Sequence, residues 1–445
     1  MSTLSPAFAP AVERAQPLLP RWLREEWLFW LAFASWTVLP STRTPIWTIG
    51  SIPVKSTDAL LIPFCVLYLL PRLVAPCSKH RRGWHMGMPL ALLAITAFGA
   101  LSTAWSGSSA REAEAMRYTM AMTASSGLLA YCVITSVSQV REFLWRLAAA
   151  LSAVSLLYTA QSLLGLGLRS AAAVTLNDFG MERVRGPLFE SSTGYFLLIP
   201  ALAFVLQETL ARRIRLLYGV ASVFALSLAI LGLGSRAGYA LFGLFAFSGV
   251  WMVKGRQKMF AIAIIAVVAG LGAALIFSKA NADRLQMQSR DGRTLMHETV
   301  ASILSARTIP ELLSGSGLGS LWPWYLTEAE GGDLYTTGRF IRRTPHGILL
   351  YHPHSTVLLL GVELGLAGVL FLAVFGVTLI RALRRAFASG ENVMFAWGLA
   401  VSFFSIEFDL FLVRRPTRDA VWWILLFGLL ALLAQQAKQR RAEPA

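Results

Sequence analysis

Two residue types stand where they could do chemistry: arginines at the ends of apolar runs, and histidines at the end of a long polar stretch. Arg185 and Arg236 lie close to such a boundary, and Arg290 and Arg293 lie in the long polar stretch itself. Guanidinium presents a planar fork of donors that fits phosphate or carboxylate, so a set of arginines implies an anionic ligand. The bland alternative is that these long side chains only reach for lipid phosphates. Arg236 is the least free to do so, because Gly234-Ser235-Arg236-Ala237-Gly238 is a minimal turn between two apolar runs. His346, His352 and His354 crowd the end of the polar stretch. An imidazole with near-neutral pKa is a natural general base for activating a hydroxyl. His354 leads because it stands at the first turn of the next apolar run; His346 and His352 are supporting candidates. The His352-Pro353-His354 spacing would suit a metal, but no third ligand stands out, so no metal is expected. Glu190 and Glu363 either hold arginines in place or take part in the site.

These residues need a frame, and the composition supplies one. The chain has 445 residues, of which 56% are hydrophobic and 14% charged. A soluble domain carries about 25% charged residues. The fold class expected is an all-α integral membrane protein with about 12 transmembrane helices and one large, partly helical loop, which the resemblance described below makes periplasmic. The apolar runs are 27–41, 57–73, 84–104, 115–134, 144–166, 192–209, 216–233, 238–253, 258–277, 355–380, 393–412 and 420–436. They divide the chain into an N-terminal membrane region (1–277), the large loop (278–354) and a C-terminal membrane region (355–445). Within the loop, 293–304 and 309–313 read as helices. Residues 1–26 lack the apolar stretch of a cleavable signal peptide, so the first span is expected to act as an uncleaved insertion signal.

The net charge of +16 would suggest nucleic acid in a soluble protein. Here the basic residues form compact clusters at alternate connections, such as Arg212/Arg213/Arg215 and Arg381/Arg384/Arg385. By the positive-inside bias those connections are cytoplasmic, with both termini, and the large loop faces outward. No nucleic-acid partner is expected. No glycine-rich cofactor fingerprint appears, so no cofactor is expected either. Cys65, Cys77 and Cys132 have neither metal-ligand spacing nor a disulfide framework. Trp322, Trp324, Tyr325 and Tyr335 in the loop are either an interfacial belt or platforms for sugar rings.

Four segments, in order along the chain, resemble the bacterial O-antigen ligase and polymerase family. Arg183-Val184-Arg185-Gly186-Pro187-Leu188-Phe189 is similar to the arginine-glycine-phenylalanine motif that opens a middle span. Ser235-Arg236-Ala237-Gly238 resembles the family's serine-arginine turn. Arg293, a following helix, Pro310 and Gly315-Ser316-Gly317-Leu318-Gly319 resemble the start of its large periplasmic loop. His354-Ser355 with Glu363, Gly365 and Gly368 resembles the histidine motif that closes that loop. Three positions depart from the pattern. Ser355 stands where an asparagine is usual, Ser191-Ser192 stand where Pro-Asn is usual, and no tryptophan follows Arg293.

The resemblance implies a glycosyltransferase of the bacterial inner membrane with its site on the periplasmic face. The donor is an undecaprenyl-pyrophosphate-linked O-antigen, and in a ligase the acceptor is the outer core sugar of lipid A–core. The reaction is a direct inverting displacement without metal. His354 is then the base, and Arg236, Arg293, Arg185 and Arg290 hold the pyrophosphate. An O-antigen polymerase or a protein O-oligosaccharyltransferase would use the same donor. Only one outer loop is long, which favours the ligase. A lipid-linked sugar transporter would be expected to carry charges near the middle of its spans or paired interrupted helices.

Overall fold

The computed structural model describes residues 21–38, 47–49, 52–54, 61, 63–67, 87–164, 188, 194–252, 292–322, 324, 341–350, 353–407 and 416–442. The described chain is mostly helical. Its long helices are α1 (Arg21–Val38), α2 (Gly87–Ser102), α3 (Ala110–Ser136), α4 (Val140–Leu164), α5 (Tyr195–Leu210), α6 (Leu216–Gly232) and α7 (Arg236–Met252). The long connection before the apolar run at 355–380 contributes α8 (Gly292–Ser305) and α9 (Ile309–Ser314). After it come α10 (Thr356–Leu358) running into a π-helical turn (Leu359–Glu363), then α11 (Gly365–Ser389), α12 (Val393–Phe403) and α13 (Pro416–Ala442).

Four described segments are long and apolar enough to cross a bilayer: Ala110–Ser136, Val140–Ser162, Gly365–Ser389 and Pro416–Ala442. Gly87–Ser102, Tyr195–Leu210, Leu216–Gly232 and Val393–Glu407 are shorter apolar helices. The expected run at 258–277, and most of 57–73, lie outside the described residues.

The helix order fixes two ends of the bundle. α5 and α12 run antiparallel, because Gln207, near the end of α5, donates to Asn392 at the start of α12 (2.9 Å). They also touch closely at mid-length, where Gly398 lets Ala203 approach. α7 places its far end against Met394, through Gly249, so Arg236 lies at the end opposite Asn392. α13 runs back beside α12, with the Trp422 indole donating to the Ser402 hydroxyl (3.0 Å). The starts of α5, α7 and α13 therefore share one end, and the 3-10 turn Phe404–Glu407 and α10 meet there.

The other end is held by ions. Glu208 is buried and pairs with Arg141 and with Arg213 (3.3 Å). Glu391 pairs with Arg213 (3.3 Å) and accepts from Gln436 (2.6 Å). Four segments distant in sequence are thus tied together at the end where the basic clusters lie.

Two features depart from an all-helical reading. Trp47–Ile49 pairs antiparallel with Ile52–Val54 (β1 and β2), and Ile341–Thr344 pairs with Gly347–Leu350 (β3 and β4). Both hairpins lie in connections. The second packs against α8. The expected span at 355–380 is also not continuous: it breaks between Glu363 and Gly365.

Candidate functional site

His354 stands one residue ahead of a helix start, in a left-handed backbone conformation (φ 49). That conformation is uncommon outside glycine, and a position that keeps it without glycine invites a functional explanation. Ser355 is the N-cap: it is buried, and its hydroxyl accepts from the Leu358 N–H (3.1 Å). Asparagine and serine serve about equally well at an N-cap. An asparagine at position 355 could therefore cap as Ser355 does. The cap fixes where the half-helix begins and so where His354, half-buried at its lip, is held.

The half-helix ends in an unusual way. Its last turn is π-helical, and Gly365 then takes a positive φ (56). A helix broken there leaves carbonyls without helical partners, and in an apolar setting each needs a substitute. The glycine-rich turn of the outer loop supplies the substitutes. Ser316 N–H donates to Val362 O (3.3 Å) and Gly317 N–H to Glu363 O (2.9 Å). The Arg307 guanidinium adds a third donor, to Val362 O (2.7 Å).

The Glu363 side chain completes the clasp. It is wholly buried, and its two oxygens accept from the N–H groups of Gly319, Leu321 and Trp322, each at 2.9 Å. The sequence left Glu363 either as a partner for an arginine or as part of the site; in the structure it caps backbone of the outer loop. Its glycines are there for close approach. A Cβ on Gly315 would fall 2.3 Å from Glu363 O, and one on Gly365 would fall 2.5 Å from Gly315 N. Gly368 lets α11 pack back against Leu360 O, which a Cβ would meet at 2.0 Å. On its other side the turn is seated on α2, where the Leu318 N–H donates to the Ser102 hydroxyl (2.9 Å).

The remaining candidates fall as follows. Arg236 opens α7 and is exposed, while the Ser235 hydroxyl accepts from Gly238 N–H (3.2 Å) and fixes the turn. Arg293 lies in the first turn of α8. His346 is exposed at the tip of the β3–β4 hairpin, 3.4 Å from the Ser302 hydroxyl. Arg185, Arg290, Glu190 and His352 lie outside the described residues. Trp322 and Trp324 are buried, so they pack the loop against the bundle rather than offering open faces to a sugar; Tyr325 and Tyr335 lie outside the described residues. Among the described residues, no group of three or more His, Cys, Asp or Glu is placed to hold a metal.

Two further arginines, which the sequence puts on the same side as the site candidates without a specific role, take defined places in the structure. Arg307 carried no assigned role, yet it bonds the broken helix, and burial lowers its pKa against the opposing pull of Glu311 and Glu363. Arg418 is buried, with its guanidinium 5.0 Å from the centre of the Phe196 ring. Its charge therefore lies inside the end of the bundle where α5 and α13 begin rather than among lipid headgroups. Arg418 carries no local sequence signal beyond an arginine at a span boundary, and Arg307 none beyond an arginine between two loop helices.

Comparison of the chain with protein-family models and with curated proteins finds no match. The functional reading therefore rests on the residues and their geometry.

Proposed function

We propose that this chain is a polytopic glycosyltransferase of the bacterial inner membrane, an O-antigen ligase. It moves polysaccharide from undecaprenyl pyrophosphate to the outer core sugar of lipid A–core. The observation that carries the reading is the clasp. Two of the motifs behind the resemblance, Gly315–Gly319 and His354 through Gly368, lie far apart in sequence and bind each other by their backbones and by Glu363. The common end shared by Arg236, Arg418 and His354 supports it further, since an anionic donor and a base would have to meet on one side of the membrane.

In this reading about twelve spans place both termini in the cytoplasm and the clasp at the periplasmic face. His354 takes the proton of the acceptor hydroxyl as its oxygen attacks the anomeric carbon. The bond from that carbon to the pyrophosphate breaks, and the configuration inverts. Arg236 and Arg293, with Arg185 and Arg290, neutralise the charge that grows on the leaving pyrophosphate. Fixed guanidinium groups do this best where water is partly excluded.

The test is transfer by the purified protein in detergent, from a purified polyprenyl-pyrophosphate donor. Lipid A–core, polymerised repeats and pilin are offered as separate acceptors. Product on lipid A–core supports the ligase. Product only on repeats or only on pilin replaces it with a polymerase or a protein transferase. No product on any acceptor, with donor moved across liposomes instead, replaces it with a transporter.

A further inference from the structure

The geometry points to a second role for the outer loop: α9 is an interfacial helix whose apolar face lies among the acyl chains of the bilayer. Ile309, Leu312 and Leu313 are 74%, 40% and 52% exposed. They stand at i, i+3 and i+4, which is one face of a helix. Three adjacent aliphatic side chains on an exposed face need a cover, and the surrounding structure shows which cover it is.

α9 ends against the broken helix. A Cβ on Gly365 would lie 2.6 Å from both Leu312 O and Leu313 O. The first exposed residues of α11 beyond that contact are Leu366 (45%), Val369 (51%) and Leu370 (56%). The stripe continues down α11 through Val374, Val377 and Ile380, while Phe371, Phe375 and Leu379 face inward. That stripe is the lipid-facing side of a membrane-spanning helix. α9 meets that stripe at its Gly365 end.

The break itself argues for the same depth. Backbone outside regular structure is tolerated in hydrocarbon only where protein satisfies it. Val362 O and Glu363 O are bonded by Ser316, Gly317 and Arg307, and the Glu363 carboxylate by three further N–H groups. At an open aqueous surface, water would do this work. On the opposite, exposed side of α9, Glu311 reaches back to accept from the Thr308 N–H (2.8 Å) and hydroxyl (2.9 Å). An amphipathic helix of this kind lies in the interface with its apolar face about 5–10 Å into the acyl boundary. The inference depends neither on the catalytic reading nor on which face of the membrane the loop occupies.

The experiment uses the full chain in liposomes, with Cys65, Cys77 and Cys132 replaced by alanine. A nitroxide is attached at Ile309→Cys, Leu312→Cys or Leu313→Cys, with Val377→Cys and the exposed hairpin position Arg343→Cys as references. All three α9 positions are expected to collide preferentially with dissolved oxygen, as at 377, rather than with a water-soluble nickel chelate, as at 343. Chelate accessibility at 309 and 313 overturns the proposal. So does protection from both reagents, which would mean that a second copy of the chain covers the face. A photo-reactive benzophenone residue at position 313, in the chain with its own cysteines, gives a check that does not need their removal. Its expected product is a phospholipid adduct, and adducts to protein alone overturn the proposal.

Discussion

A carboxylate oxygen of Glu363 accepts the backbone N–H of Gly319 at 2.9 Å, joining residues 44 positions apart. With Leu321 and Trp322 as further donors, one wholly buried side chain seats the outer loop on the broken span. Replacing it strands those N–H groups away from water. Each buried donor left unpaired costs about 1–3 kcal/mol. Glu363→Leu should therefore lower the unfolding temperature of the detergent-solubilised protein markedly. Glu363→Gln should fall between, because its amide keeps one acceptor but turns an NH2 toward a donor. A Glu363→Leu protein that melts with the wild type would show that the loop is seated by packing alone.

The glycines at the clasp make a separate prediction. Gly315 and Gly365 both have positive φ (70 and 56), and both meet backbone where a Cβ would be. A left-handed conformation costs a non-glycine residue about 1–2 kcal/mol, and the close approach adds to that. Gly315→Ala and Gly365→Ala should each loosen the loop, seen as faster proteolysis between α9 and the β3–β4 hairpin. Gly376→Ala, at a position where a Cβ meets nothing within 4 Å, is the matched control and should behave as wild type.

Ser355 offers a milder and more specific case. Its hydroxyl caps the half-helix that carries His354. Ser355→Ala should cost about 1 kcal/mol, measured as a fall in thermal stability. Ser355→Asn should keep it, since asparagine caps as well as serine. If the asparagine variant is no better than alanine, capping is not the reason for a serine here.

Much of this was legible in the sequence, and the misses have physical causes. The run expected at 216–233 is helical over Leu216–Gly232, and that expected at 238–253 over Arg236–Met252, because arginine and glycine mark their ends. The loop helices at 293–304 and 309–313 appear as Gly292–Ser305 and Ile309–Ser314, the second announced by its Thr308–Glu311 capping pair. The break at Gly365 was missed, because Glu363-Leu364-Gly365 sits inside an apolar run and a single glycine there does not by itself mark a break. The β3–β4 hairpin was missed because Ile341-Arg342-Arg343-Thr344 has no apolar alternation to read. The partners of Glu363 could not be read at all: its donors are backbone groups of a distant loop, and any residue type supplies those.

Orientation is open to direct measurement. Among the described residues, the basic clusters around Arg141 and Arg213 gather at one end of the bundle, and the clasp at the other. A topology reporter fused near Gly331 should read periplasmic, and one fused at the C-terminus cytoplasmic. A cytoplasmic reading at Gly331 would overturn the proposed side of the membrane, and with it the assigned chemistry.

The last prediction concerns the base and the pyrophosphate arginines, which fail in different ways. His354 is held at the lip of the half-helix by the Ser355 cap, whereas His346 is exposed at a hairpin tip. Losing a general base costs about a hundred- to ten-thousand-fold in rate. His354→Ala should lose nearly all transfer yet still bind the lipid donor, because the arginines hold the pyrophosphate. His346→Ala should be milder. Arg236→Ala should lose donor binding as well as transfer, and Arg236→Lys should recover little, since a point charge cannot reproduce the guanidinium fork. The base works as neutral imidazole, so the wild-type rate should fall as pH is lowered and the imidazole takes up a proton. The measurements are donor binding and initial transfer rate, taken for each variant from pH 5 to 8 (roughly the window in which histidine changes charge). An active His354→Ala enzyme with an unchanged pH profile would remove His354 from the chemistry while leaving the clasp as a structural device.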